Sequence, residues 1–146
     1  MFRQIPGVSA TCVGYTAGHT SNPTYKQVCT DTTGHAEAVR ATFDPSVVSF
    51  GQLLRTFLSR IDPTTKDSQG PDYGTQYRST IYYYSPEQKA AADEAIAWAQ
   101  DAIDKGTYPR RVRGSRVVTT VEAAGDLWLA EDYHQHYVEK GGSCTL

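Results

Sequence analysis

The chain has 146 residues, enough for one domain with a substantial hydrophobic core. Charged residues make up 21% of it and the formal net charge is -2, so the composition argues against a nucleic-acid or membrane surface. No run of about 18 apolar residues occurs, which argues against a membrane-spanning helix, and the N-terminal MFRQIPGVSA lacks the basic and then apolar order of a signal peptide.

Cysteine usage indicates a reducing compartment. The three cysteines, Cys12, Cys29 and Cys144, are an odd number and form no CxxC pair. A small secreted domain held together by disulfides normally has an even number of cysteines. We therefore expect a cytoplasmic protein without a disulfide framework, or an organellar one where a transit peptide precedes these residues.

The first half of the chain predicts two strands and a helix. Residues 8–16, VSATCVGYT, are rich in β-formers and predict a strand, whereas the polar residues 22–34 predict a loop. A second strand is predicted over residues 35–43, HAEAVRATF, and the turn signal DPS follows it. Ser49 is the expected N-cap of a helix that extends to Ile61, because apolar residues then recur at helical spacing.

The second half begins with a long polar segment, residues 62–79, which predicts a loop; a loop of this length is usually functional or disordered. STIYYYS, residues 79–85, predicts a third strand. Pro86 opens an alanine-rich helix that ends at Gly106. A fourth strand is predicted around 117–121, and residues 130–140 predict a short helix.

This order of elements is typical of the α+β class. It predicts a two-layer ferredoxin-like plait, a mixed or antiparallel sheet with helices on one face. Such a plait has one more strand and helix in front of residue 8, where Phe2 and Ile5 resemble the last turn of a helix. We therefore expect a single domain over residues 1–146 that lacks its first strand and most of its first helix, with a flexible tail over 141–146.

The stretch HAEAVRATFDP contains an acid in an unusual position. On a strand, alternate residues share a face, so Glu37 lies on the same face as Val39 and Phe43. That apolar face is expected to be the inner one, which carries Glu37 into or beside the core, and burial favours a carboxyl that donates a proton near neutral pH. The alternative is a shifted strand that leaves Glu37 at the solvent edge.

Other polar groups that could carry chemistry lie in GPDYGTQYRS. Its glycines allow close approach of the backbone to a ligand, and it offers polar and aromatic neighbours for an acid: Asp72, Tyr73, Gln76, Tyr77 and Arg78. An ordinary polar loop is the simpler interpretation. His134 and His136 are two residues apart, which fits neither one helix face nor the usual zinc spacings, so no metal site is predicted. The basic run RRVRGSR, residues 110–116, is most simply a solvated loop.

Several motifs, taken in chain order, resemble one known family. They are GYTAG, NPTYKQVC, TGHAEAV, FDP, IDP, GPDYGTQYRS, IYYYSPEQ and AEDYHQHY. Together they resemble the peptide methionine sulfoxide reductases of the A type over essentially the whole chain, and TGHAEAV and DYGTQYRS are the most specific. The resemblance implies a plait of the kind predicted above and the reduction of the S epimer of methionine sulfoxide, free or in peptides.

The resemblance also implies roles for individual residues. Glu37 matches the family's acid that protonates the sulfoxide oxygen. Tyr15 and Tyr77 match the two tyrosines that hydrogen-bond this oxygen, and Asp72 matches the loop acid that supports the site. A buried acid suits this reaction, because the weakly basic S=O group is protonated while a thiolate attacks the sulfur.

The family's nucleophile has no counterpart in this sequence. It lies in a Gly-Cys-Phe-Trp motif at the start of the first helix, and residues 1–146 contain no such motif. We expect the missing cysteine roughly two helical turns before Met1. Its loss together with the central strand that leads into it would leave unpaired backbone groups and an exposed core.

None of the three cysteines is assigned as the nucleophile. Cys12 lies in mid-strand on the face opposite Tyr15 and is predicted to be a small core residue. Cys29 lies in NPTYKQVC, where the family often has a cysteine without a catalytic role. Cys144, in GGSC, resembles the recycling cysteines of glycine-rich tails, which form a disulfide that thioredoxin reduces. A spare thiol in a disordered end is the alternative for Cys144.

Two hypotheses of different classes follow. The first is a monomeric repair oxidoreductase whose chain is recorded without its first strand, with no bound cofactor and with thioredoxin, or dithiothreitol in vitro, as reductant. The second is a non-catalytic relative that acts as a methionine-sulfoxide-binding module or as a regulatory module. We favour the enzyme, because the retained acid, tyrosines and loop are hard to explain without the chemistry. An RNA-binding plait fits poorly, since the chain is mildly acidic and has no basic strand face.

Overall fold

The computed structural model describes residues 2–131 and divides them into two compact units. The terminal unit consists of the described residues 2–48 and 125–131, and the central unit of residues 49–124. In chain order the helices and strands are β1 (Val8–Thr16), α1 (Tyr25–Cys29), β2 (Ala36–Phe43), α2 (Phe50–Arg60), β3 (Ser68–Gln69), β4 (Asp72–Tyr73), β5 (Thr80–Tyr83), α3 (Pro86–Asp104), β6 (Thr120–Ala123) and β7 (Leu127–Leu129). The predicted α+β class is confirmed.

The terminal unit is built on an antiparallel sheet with the strand order β2-β1-β7. β1 pairs with β2 along almost its whole length, and β7 pairs with the C-terminal end of β1. The first two predicted strands are therefore confirmed. Tyr15, Val28 and Ala130 form the buried cluster of this unit, so the core lies beside the end of β1 where all three strands meet.

The central unit is built on two helices and the parallel pair β5-β6. Ser49 is the N-cap of helix α2, as predicted: its Oγ accepts from Gln52 N (3.1 Å) while Gln52 Oε1 accepts from Ser49 N (2.8 Å). This reciprocal capping box satisfies two backbone donors of the first turn. The core of the unit joins both helices to β5 through leucine, isoleucine and small alanine side chains: Leu54, Leu58, Ile81, Ala92, Ala95 and Ala99.

Two segments predicted as loops contain regular structure. Residues 22–34 include the five-residue helix α1, which Thr24 and Gln27 cap reciprocally. Residues 62–79 include the β3-β4 hairpin and a 3-10 turn over Thr75–Tyr77. Elements this short have no apolar periodicity to reveal them, so hydrophobic pattern alone misses them.

The fourth predicted strand is displaced toward the C-terminus. β6 begins at Thr120 because earlier backbone donors are already used: Val117 N donates to Gln100 Oε1 (2.9 Å) and Val118 N donates to Pro63 O (2.8 Å). The three-residue strand β7 was not predicted. The helix expected over residues 130–140 and the tail 141–146 lie outside the described residues, apart from positions 130 and 131. Within residues 2–131 no helix is long and apolar enough to cross a membrane.

Candidate functional site

Tyr15 and Glu37 are direct neighbours across two strands. Tyr15 of β1 is the register partner of Glu37 of β2, and directly opposed residues of an antiparallel pair project from the same face. Tyr15 is 1% exposed and Glu37 is half-buried. The structure therefore brings a phenol and a carboxyl from separate parts of the sequence to one patch of the sheet.

Burial along the Glu37 face changes steeply. Val39 is 51% exposed, Glu37 is half-buried and His35 is 2% exposed. The expectation that Val39 marks the inner face is wrong, because this end of β2 extends beyond the buried cluster around Tyr15. Glu37 thus lies at the boundary between core and solvent, where a carboxyl is partly desolvated and still accessible to a ligand.

Glu131 holds the hydroxyl of Tyr15. Tyr15 OH donates to Glu131 Oε2 (3.0 Å), and Tyr25 N, in the first turn of α1, donates to Glu131 Oε1 (2.8 Å). One carboxylate therefore ties β1 to α1. A phenol has a single proton to donate, so Tyr15 releases Glu131 whenever it donates to another oxygen. Sequence reasoning missed this role, although Glu131 is part of the AEDYHQHY motif.

His35 is a scaffold residue directly before β2. Its Nδ1 accepts from Gly18 N (3.1 Å), so Nε2 carries the proton and donates to Thr20 O (2.7 Å). A Cβ on Gly18 would lie 2.4 Å from the imidazole ring, which only glycine avoids. The histidine of TGHAEAV therefore fastens the turn after β1 to the strand that carries Glu37.

The loop residues of GPDYGTQYRS belong to the central unit. Asp72 is exposed on β4, whereas Tyr77 is half-buried at the end of the 3-10 turn. Gly74 has φ +130°, and a Cβ there would lie 2.4 Å from Oε1 of the buried Gln76, so this position requires glycine. Asp72 and Tyr77 share one loop, and Tyr15 and Glu37 share one sheet. A meeting of the two pairs around one ligand oxygen stays a prediction.

The cysteines differ from the expectation in one respect. Cys12 is buried as predicted, at 2% exposure, but it is disulfide-bonded. Strand alternation predicts which face of the strand a cysteine occupies, but it does not predict whether the fold brings a second cysteine next to it. The disulfide of Cys12 was therefore not expected. Cys29 is exposed and free. Cys144, His134 and His136 lie outside the described residues.

Metal ligation finds no support in the described part of the chain. Among residues 2–131 there is no group of three or more His, Cys, Asp or Glu side chains placed to hold a metal ion. The arrangement found at Tyr15 and Glu37 instead suits proton donation and hydrogen bonding to a ligand oxygen.

Comparison with known proteins gives a consistent result. Residues 1–145 match the family model described as peptide methionine sulfoxide reductase. The chain is 53% identical over 141 residues to peptide methionine sulfoxide reductase MsrA of Methanosarcina mazei, a match that covers 97% of this chain and 63% of that relative. It is 48% identical over 145 residues to MsrA of Geobacter sulfurreducens, covering 98% of this chain and 85% of the relative. The chain thus spans less than two thirds of the Methanosarcina mazei protein.

Two solved structures are similar over nearly the whole chain. Methionine sulfoxide reductase A of Corynebacterium diphtheriae matches with a TM-score of 0.82 and 37% identity, covering 98% of this chain and 69% of that one. Mxr1 from Saccharomyces cerevisiae in reduced form matches with a TM-score of 0.80 and 29% identity, covering 98% and 80%.

Proposed function

Because the chain belongs to the peptide methionine sulfoxide reductase family, we propose that it takes part in the reduction of methionine S-sulfoxide, free or in peptides, to methionine. The observation that carries the proposal is the cross-strand pair of Tyr15 and Glu37, which places a phenol and a partly buried carboxyl on one face of the sheet. These two groups match the hydrogen-bonding tyrosine and the proton-donating acid implied by the sequence motifs.

The proposed reaction moves one oxygen atom and two electrons. A cysteine thiolate attacks the sulfoxide sulfur while Glu37 gives its proton to the oxygen, and the tyrosine hydroxyls stabilise the charge that develops there. The S–O bond breaks, methionine leaves, and the attacking sulfur is oxidised to a sulfenic acid. A second thiol then forms a disulfide and releases water, and an external dithiol reduces that disulfide.

Each residue has its own part in this proposal. Glu37 is the acid, Tyr15 and Tyr77 hydrogen-bond the oxygen, and Asp72 is the loop acid that supports the site. The position of Glu37 at the edge of the buried region supports its part, because partial desolvation disfavours the charged form of a carboxyl. Cys144 is the proposed recycling thiol, by resemblance alone.

A test of Glu37 as the acid requires a protein that also carries the nucleophilic cysteine. The 146 residues contain no Gly-Cys-Phe-Trp motif, so the assay uses a form extended at its N-terminus by a segment that carries it, taken from a relative. With a methionine sulfoxide peptide and dithiothreitol, Glu37→Gln should lower turnover by about two to four orders of magnitude, the usual share of general-acid catalysis. The matched control Glu94→Gln, at an exposed position of α3, should leave turnover unchanged. Near-normal turnover of Glu37→Gln would contradict the assigned role.

The finer features of the proposal concern fold, reductant and location. We infer a two-layer ferredoxin-like plait from the order of strands and helices, and a single domain over residues 1–146. Thioredoxin is the proposed reductant and the monomer the proposed state. We propose the cytoplasm as the location, because a reaction that consumes thiols requires a compartment that keeps them reduced. Turnover with thioredoxin and its reductase in place of dithiothreitol tests the reductant, and light scattering of the purified chain tests the monomer.

A further inference from the structure

The arginine-rich segment RRVRGSR, residues 110–116, is not used by the proposed reaction. It contains Arg110, Arg111, Arg113 and Arg116, and all four side chains are exposed. The segment has no helix or strand of its own and lies in the central unit between α3 and β6. A concentration of like charge of this kind costs electrostatic free energy unless an anion is close to it.

Hydrogen bonds fix the segment on two sides. They run from Arg113 N to Asp62 Oδ2 (2.8 Å), from Gly114 N to Thr64 Oγ1 (2.9 Å) and from Gln100 Nε2 to Ser115 O (2.9 Å). The backbone is thereby held against the turn after α2 and against α3. A ligand that binds here does not have to order this loop, which lowers the entropic cost of binding.

A cavity of about 500 Å³ lies between the segment and the turn after α2. This volume is within the range of small-molecule pockets, roughly 300–1,000 Å³. Arg110, Arg111 and Arg113 line one side, and Asp62, Thr65 and Gln69 belong to the rest of the lining. Three arginines and a single carboxylate-bearing residue, Asp62, therefore line the same space.

The polar groups opposite the arginines are occupied within the protein. Asp62 Oδ1 accepts from Thr64 N (2.9 Å) and its Oδ2 from the Arg113 amide. Gln69 Oε1 accepts from Asp62 N (3.2 Å) and its Nε2 donates to Asp62 O (2.8 Å), while Thr65 Oγ1 donates to Ser68 O (2.7 Å). The hydrogen-bond donors that remain available to a ligand are thus mainly those of the guanidinium groups. Such donors favour a ligand whose polar groups are all hydrogen-bond acceptors.

The arginine side chains have free donors. Arg110 Nη1 donates a hydrogen bond to Arg60 O. Within the described residues the guanidinium groups of Arg111 and Arg113 take part in no hydrogen bond or ion pair. Arginine stays charged across the whole physiological pH range, so deprotonation cannot relieve the repulsion between these groups. An oxyanion with two or more negative charges relieves it, and its oxygens match the fork of N–H donors on each guanidinium.

We propose that this cavity is a binding site for a small soluble anion of the phosphate class that carries two or more negative charges, such as a phosphate monoester or pyrophosphate. The site is independent of the proposed reductase activity, because all of its residues lie in the central unit and none is assigned a part in the sulfoxide chemistry.

The test is calorimetric titration of the 146-residue chain with inorganic pyrophosphate, inorganic phosphate and citrate at constant ionic strength. The variant Arg111→Gln/Arg113→Gln removes two of the lining guanidinium groups. The control Arg116→Gln/Lys89→Gln changes the net charge equally at exposed positions outside the lining. Thermal unfolding of both variants confirms that each is folded.

Saturable binding of pyrophosphate by the wild type is expected, weakened about tenfold or more in the lining variant because charge-assisted hydrogen bonds are lost. The control variant should change affinity by less than about twofold at moderate salt, since screening limits the effect of distant charges. Absence of saturable binding, or an equal loss in both double variants, would overturn the proposal. Citrate bound as tightly as pyrophosphate would overturn the assignment to the phosphate class.

Discussion

At the scale of single residues, the contact between Tyr15 and Glu131 ties the proposed site to the rest of the terminal unit. The phenol is fully buried and donates to one carboxylate oxygen, while the other oxygen accepts from α1. A buried hydrogen bond to a charged group is worth more than a neutral one, so its loss is expected to be measurable. The same bond sets the orientation of the hydroxyl that the proposed reaction uses.

Tyr15→Phe and Glu131→Gln should each lower the free energy of unfolding by about 1–3 kcal/mol, because the first removes the donor of this charge-assisted hydrogen bond and the second removes the charge of its acceptor. In a double-mutant cycle the two changes should couple by about 0.5–3 kcal/mol, since the residues are in direct contact. Urea unfolding at pH 7 measures both quantities. Tyr73→Phe is the control, because the Tyr73 side chain is 67% exposed. Additive effects of the two changes would show that the bond does not form in solution.

Tyr108 has a pH-dependent role in the central unit. Burial raises the pKa of Tyr108 to about 12, the carboxylate of Asp62 also raises it, and Arg110 lowers it. The neutral hydroxyl donates to Leu58 O at the end of α2. Because the unfolded phenol ionises near pH 10, the stabilisation is complete below that value and is lost as pH rises from 10 toward 12.

Tyr108→Phe should therefore lower the free energy of unfolding by about 0.5–1.5 kcal/mol at pH 8, the usual worth of one hydrogen bond. The difference from wild type should shrink between pH 10 and pH 12. Denaturant unfolding at pH 8, 10 and 11.5 measures the trend, with Tyr84→Phe, at a 66% exposed position, as control. A difference that stays constant over this range would exclude a raised pKa for Tyr108.

At the scale of elements, Asp62 connects the end of α2 to the arginine-rich segment. Burial raises the pKa of this carboxyl, but hydrogen bonds from Thr64 and from the Arg113 amide, together with the Arg110 charge, outweigh burial and lower its pKa below 3.8. A lowered pKa means that the carboxylate stabilises the fold above the unfolded pKa. That stabilisation is lost as pH falls through the lower, folded value.

Asp62→Asn should lower the free energy of unfolding by about 1–3 kcal/mol at pH 7, because three donors, on Thr64 (N and Oγ1) and Arg113 (N), lose a charged acceptor in a buried position. The gap between variant and wild type should narrow below about pH 4, where the native carboxylate becomes protonated. Urea unfolding at pH 7, 5 and 3 measures the gap. Asp93→Asn should show little effect at any pH, since its pairing with Lys89 is exposed. A gap that is equal at pH 7 and pH 3 would contradict the role of the carboxylate.

The long elements could be predicted from sequence because their signals are local. Ser49 caps α2 and Pro86 opens α3 as expected, and in both helices apolar residues recur at helical spacing. The displaced β6 could not be predicted, because the side chain of Gln100 and the carbonyl of Pro63 take the amides of Val117 and Val118. Competition by residues distant in sequence leaves no local signal.

Some residues of the candidate site could likewise be predicted from sequence, and others could not. Glu37 and Tyr15 could be proposed from motifs, and their direct pairing follows from the register of β1 and β2. The role of Glu131 could not be assigned, because its hydrogen-bond partners Tyr15 and Tyr25 are separated from it by 116 and 106 positions along the chain. The disulfide of Cys12 and the cavity beside Arg111 are likewise tertiary properties, which composition and periodicity do not encode.

At the scale of the whole molecule, the proposed chemistry depends on a thiol as well as on an acid. Sulfoxide reduction oxidises one cysteine sulfur by two electrons, so an accessible thiolate at the site is required. Cys12 is buried and disulfide-bonded, and Cys29 is free but lies at the exposed end of α1. Cys12 therefore has no thiol to supply, and the motif in which Cys29 lies implies no catalytic role for it.

Residues 1–146 alone should therefore show weak or no reductase activity with a methionine sulfoxide peptide and dithiothreitol. An otherwise identical form extended by a segment with the Gly-Cys-Phe-Trp motif should turn over and should also be more stable to urea, because the added strand pairs backbone groups and covers apolar surface. Chromatographic quantification of the methionine peptide measures turnover. Cys29→Ser in the extended form is the control and should leave turnover unchanged. Robust turnover by residues 1–146 that is abolished by replacing Cys12, Cys29 or Cys144 would show that a relocated nucleophile exists, and the assignment of the cysteines would then be wrong.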